Sequence, residues 1–122
     1  MHKEYLVQAL KELRDSSLKG LVTSYIKPPG RAPAKKLLLM SQWYNSLNAD
    51  DQKILNMILK DAMDSIMFHF LCILDHVSFI EDTEEKTVFE LYATKNGEKV
   101  LLNPFEGEEL HDLYNSLVLT EE

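Results

Sequence analysis

The stretch Val88-Phe89-Glu90-Leu91-Tyr92-Ala93-Thr94-Lys95-Asn96-Gly97-Glu98-Lys99-Val100-Leu101-Leu102-Asn103 decides the fold class. Asn96-Gly97 is a type I′ turn signal, because a two-residue hairpin turn needs positive φ at both positions and these two residues tolerate it best. Setting Lys95 opposite Glu98 puts Ala93 opposite Val100 and Leu91 opposite Leu102, and with Phe89 that face is apolar throughout. The other face is mixed, as in an antiparallel sheet that packs one side on helices and wets the other. Val77, Ser78, Phe79 and Ile80 read as a further strand, joined through the acidic turn Glu81-Asp82-Thr83-Glu84-Glu85. The expectation is a three-stranded antiparallel meander, the smallest sheet with independent stability.

On both sides of this stretch the apolar period is helical. Tyr5, Leu6, Ala9, Leu10 and Leu13 recur at three-and-four spacing, with Lys3, Glu4, Lys11, Glu12 and Arg14 on the other side. Ser16, Ser17 and Gly20 weaken the continuation of that helix toward Tyr25. Residues 27–33, with three prolines and Gly30, form a connector. Residues 35–47 are helical, and Asn48 caps a long central helix over residues 49–75, where Asp50 and Asp51 suit the dipole. Its expected inward face holds Leu55, Leu59, Ala62, Met63, Ile66, Phe70, Ile73 and Leu74. After Pro104 a last helix opens on Glu106, Glu108 and Glu109 and turns Leu110, Leu113, Tyr114 and Leu117 inward. The predicted architecture is α+β: about four helices, with the meander between the long central helix and the C-terminal helix, in one domain over residues 1–122.

Composition fits an ordinary globular chain of 122 residues, 45% hydrophobic and 27% charged. A single cysteine, Cys72, makes no internal disulfide, and the first residues lack the unbroken apolar run of a secretory signal. The densest apolar run, residues 66–74, is too short to span about 30 Å of hydrocarbon. A cytoplasmic location without membrane contact is therefore expected. The net charge of −7 conceals an asymmetry: residues 1–60 carry ten Lys/Arg and five Asp/Glu, whereas residues 61–122 carry three and fifteen. A second half this acidic opposes nucleic-acid binding, although the basic residues from Lys19 to Lys36 and Tyr25 have the chemistry for it.

The chain contains no phosphate-binding glycine loop, GxSxG elbow, HExxH or CxxC pair. One constellation has chemical content. Asp61, Ser65, His69, Cys72 and His76 fall within an arc of about 80° on the long helix at about 100° per residue. His69 with Cys72, or Cys72 with His76, have the spacing to share a zinc ion, with His111 or Asp112 as a further ligand from elsewhere. All three cannot meet on one ion along a straight helix, since His69 and His76 lie about 10.5 Å apart on its axis. Ser65 with His69, and Cys72 with His76, also have nucleophile–base spacing, but a mid-helix nucleophile in an apolar run lacks an oxyanion hole. The plainer reading makes this stripe a polar seam with Cys72 as a small buried hydrophobe, and no cofactor. The leading expectation is thus a non-enzymatic protein–protein interaction protein, of inhibitor or immunity type, that meets a basic protein through Glu81, Asp82, Glu84 and Glu85. The alternative is a metal- or thiol-dependent enzyme built on His69, Cys72 and His76.

Overall fold

A computed structural model describes residues 1–121. The elements are α1 (Lys3–Ile26), α2 (Lys35–Ser46), α3 (Ala49–Leu74), β1 (Tyr92–Lys95), β2 (Glu98–Leu101) and α4 (Leu110–Leu119). Among the described residues this gives four helices and one two-stranded antiparallel sheet. No helix of these residues is long and apolar enough to cross a membrane. The chain forms two compact units, one made of Met1–Glu12 with the residues from Asp64 onward, the other of Leu13–Met63.

The first unit holds the larger core. Val7, Leu71, Leu110 and Tyr114 are buried together, with Leu10, Met67, Leu74, Leu113, Leu117 and Val118 packed around them. The Tyr114 hydroxyl, fully buried, donates to Asp64 Oδ1 at 2.6 Å, which meets the rule that a buried phenol must find an acceptor. The hairpin has the expected register, Ala93 opposite Val100 and Lys95 opposite Glu98, with Asn96 and Gly97 at positive φ of 52° and 81°. Leu102 N–H donates to Leu91 O at 2.8 Å and carries the pairing one step further. Leu102 is buried and Leu91 and Ala93 are half-buried, but Phe89 and Val100 are exposed, so the apolar face is covered only in part.

The third strand is not formed. α3 ends in a Schellman motif with His76 at positive φ (64°), where the Val77 N–H turns back to Cys72 O at 3.0 Å and His76 N–H to Ile73 O at 3.3 Å. Ser78 N–H also points to Cys72 O, at 3.2 Å. The donors that a strand at Val77, Ser78, Phe79 and Ile80 needs are thus partly spent on the helix end, and residues 77–91 run as a loop. α4 begins at Leu110 rather than among Glu106 and Glu108, because Gly107 at φ 92° breaks any regular helix there and Glu109 stays extended as the N-cap.

In the Leu13–Met63 unit, Tyr44 is the buried anchor. Its hydroxyl donates to Asn56 Oδ1 at 3.0 Å, its carbonyl accepts from Gln52 Nε2 at 3.0 Å, and its ring lies 5.8 Å from that of Tyr25. Asn45 Nδ2 ties the end of α1 by donating to Ile26 O at 3.1 Å. Asn48 caps α3 as expected, its Oδ1 accepting from Asp51 N–H at 2.8 Å. α1 runs unbroken past Ser16, Ser17 and Gly20; the hydroxyls of Ser16 and Ser24 bond carbonyls three residues back, so the small polar residues do not interrupt it. Its covered positions match the expected ones only in part, through the half-buried Leu6 and Leu10. Val7 and Arg14 are buried, Arg14 with its guanidinium on Asp15 Oδ1 at 2.8 Å, whereas Tyr5, Ala9 and Leu13 are exposed.

Candidate functional site

The end of α3 and the start of α4 meet on one side chain. α4 has no side-chain cap of its own at Glu109, so its first free N–H groups need an acceptor from outside the helix. Asp75, one residue past α3, supplies it: Oδ1 accepts from Leu110 N–H at 3.0 Å, and Oδ2 accepts from His111 N–H at 2.8 Å. The carboxylate is 3% exposed and lies where the helix dipole favours negative charge. It also takes the His111 ring, with Nδ1 2.7 Å from Asp75 Oδ2.

Around that ring stand two more carboxylates. Glu109 Oε2 is 3.7 Å from Nδ1, and Asp112 Oδ1 is 3.3 Å from Nε2. Phe68 packs edge-on against the imidazole at 5.4 Å and shields one side of it. Asp75, Glu109 and His111 each offer a ligand atom, all within 4.8 Å of one another. Cys72 is buried nearby, and burial first, then the negative fields of Asp75, Glu109 and Asp112, push its thiol above the ordinary range. That direction disfavours the thiolate, the form of cysteine that acts as a nucleophile.

The residues predicted to bind metal do not gather. His69 is exposed on α3, with Nδ1 2.7 Å from the Ser65 carbonyl and its ring edge-on to Phe68. His76 lies beyond the helix end, where its Nε2–H donates to Asn103 O at 3.2 Å and its ring stacks on Phe105 at 4.0 Å. Its Nδ1 is buried without a hydrogen-bond partner. Cys72 alone of the three is in the core. The helical wheel failed at His76 because the helix stops two residues earlier. Of the cluster that does form, the sequence reading offered His111 or Asp112 as a ligand, but not Asp75 or Glu109. A usable signal was present: a helix start without Ser, Thr, Asp or Asn before it has to borrow an acceptor.

The acidic residues divide by role. Glu81 closes the loop on itself, its carboxylate accepting from Thr87 N–H at 3.1 Å and from the Thr87 hydroxyl, while Lys86 Nζ donates to its carbonyl at 2.6 Å. These hydrogen bonds, the hydroxyl's first, hold its carboxyl below the usual glutamate range. Asp82, Glu84 and Glu85 are exposed on the same loop. No protein-family model matches this chain, and no curated protein and no solved structure does so either.

Proposed function

We propose that this is a non-enzymatic protein–protein interaction protein, and that loop 77–91 meets a basic protein partner. The observation that carries this reading is the make-up of that loop: Val77, Ile80 and Val88 are about half exposed or more, beside the exposed acids Asp82, Glu84 and Glu85. Apolar side chains left in water next to charge are the composition of a docking patch with a polar rim. The Glu81–Thr87 staple supports it further, since a loop fixed by its own hydrogen bonds loses less entropy on binding than a free one. The residues from Asp64 onward contribute fourteen Asp/Glu and three Lys/Arg, a field that speeds encounter with a positive surface. An inhibitor or immunity-type protein against a basic toxin is the specific form this proposal takes.

The test compares the native chain with Glu84→Lys/Glu85→Lys and with Ile80→Ser as bait at low and high salt. The expected result is a basic protein retained by the native chain, with association slowed at least tenfold by the charge reversal and steeply reduced as the screening length falls from about 10 Å at 0.1 M to about 3 Å at 1 M. Retention that is indifferent to both variants and to salt would refute the proposal.

A further inference from the structure

The geometry points to a divalent transition-metal site, for zinc foremost, formed by His111 Nδ1, Asp75 Oδ2 and Glu109 Oε2 at the start of α4. Two carboxylate oxygens converge on the same ring nitrogen, at 2.7 and 3.7 Å. One N–H cannot serve both, whereas a metal ion accepts all three atoms as ligands. Zinc bonds of about 2.0–2.2 Å to N and O donors place neighbouring ligand atoms about 3.0–3.5 Å apart. The observed pair of distances brackets that range and all three ligand atoms lie within 4.8 Å of one another, so rotation of the half-exposed Glu109 side chain is the movement that brings them onto one ion.

The surroundings have the form of a metal's outer shell. With Nδ1 on the ion, the ring keeps its proton on Nε2, and the exposed Asp112 carboxylate, 3.3 Å away, is near enough to accept it after a small rotation. A carboxylate on the far nitrogen of a ligating histidine fixes its tautomer and raises its basicity. Asp75 is steadied in turn by the N–H groups of Leu110, on Oδ1, and His111, on Oδ2, which leave one lone pair of Oδ2 for the ion. A net cation here answers three carboxylates around one imidazole. The Asp75 and His111 side chains are 3% and 12% exposed, while Glu109 at 41% leaves a side open to solvent for water ligands. Imidazole nitrogen with two carboxylates suits zinc and its first-row neighbours better than calcium or magnesium.

The site is independent of the docking loop and is tested separately. Full-length chain prepared without an affinity tag and stripped with chelator is titrated with zinc alone by calorimetry, and with cobalt(II) while its visible absorption is followed. One ion per chain and a higher melting temperature are expected. Glu109→Gln exchanges an anionic ligand for a weak neutral one and Asp112→Asn removes the negative charge of the outer acceptor; both positions are solvent-accessible, so the metal-free variants should melt as the native chain does. Each should weaken zinc binding on the order of tenfold to a hundredfold. His69→Ala should leave binding unchanged. Absence of zinc uptake at millimolar concentration, or uptake that survives both Glu109→Gln and Asp112→Asn, would overturn the assignment.

Discussion

Asn103 shows how much one side chain carries. It is 3% exposed, and its amide does the work of a peptide group: Nδ2 donates to Leu74 O at 2.7 Å and Phe89 O at 2.8 Å, and Oδ1 accepts from Leu91 N–H at 2.8 Å. The end of α3 is thereby joined to the approach to β1 by a single residue. Asn103→Leu leaves three backbone groups without partners, each costing about 1–3 kcal/mol when buried, so a loss of roughly 2–5 kcal/mol is expected in denaturant melts. A change below about 0.5 kcal/mol would show that water replaces the amide. Nothing in the letters Leu102-Asn103-Pro104 announces this role, because it depends on where α3 stops. His76 was illegible for a related reason: most helices take glycine or asparagine at that left-handed position, and a histidine there reads as one more helical residue.

Along α3 the sequence reading located the helix and part of its face: Leu55, Leu59, Met63, Ile73 and Leu74 are half-buried as expected, whereas Ala62, Ile66 and Phe70 are exposed. Ile54, Ile58, Ala62, Ile66 and Phe70 are four apart and all exposed, while the parallel row Leu55, Leu59, Met63, Met67 and Leu71 is covered. The covered positions include Gln52, Asn56 and Asp64, polar residues that an apolar count discards but that meet Tyr44 or Tyr114 through hydrogen bonds. Phe70→Lys should therefore change stability by no more than about 0.5 kcal/mol, as surface substitutions do, whereas Leu71→Ala next to it should cost about 2–5 kcal/mol. Equal losses in thermal melts would restore the expected face. The hairpin was legible down to its register because turn chemistry and alternation are local properties of about a dozen residues. The third strand was not, since its fate was settled by the Val77 and Ser78 N–H groups bonding back to Cys72 O.

At the scale of the molecule, charge follows the structural division. Residues 13–63 carry eight Lys/Arg and four Asp/Glu, a net of +4, and the remaining residues five and sixteen, a net of −11. The asymmetry was visible in the sequence; its boundary was not, because α1 and α3 each belong partly to both units. Burial is unequal too. Among residues 13–63 only Arg14, Ser41 and Tyr44 are buried, too little apolar area to offset about 1–2 kcal/mol of backbone entropy per residue. A fragment of residues 13–63 is accordingly expected to show no cooperative thermal transition by circular dichroism, while the full chain does. A sharp transition in the fragment would mean that its own contacts suffice.

The two asparagines that shape the sheet region will age differently. Asparagine side chains convert to aspartate when the next residue's backbone nitrogen attacks the amide carbon, a route that needs a free N–H and a flexible neighbour. Asn96 precedes Gly97 on an exposed turn and meets both conditions. Asn103 precedes Pro104, whose ring nitrogen carries no hydrogen. The amide that joins α3 to the hairpin is closed to this decay by its neighbour's chemistry, so the slow clock of the molecule runs at the turn, where a new negative charge leaves the buried joint untouched.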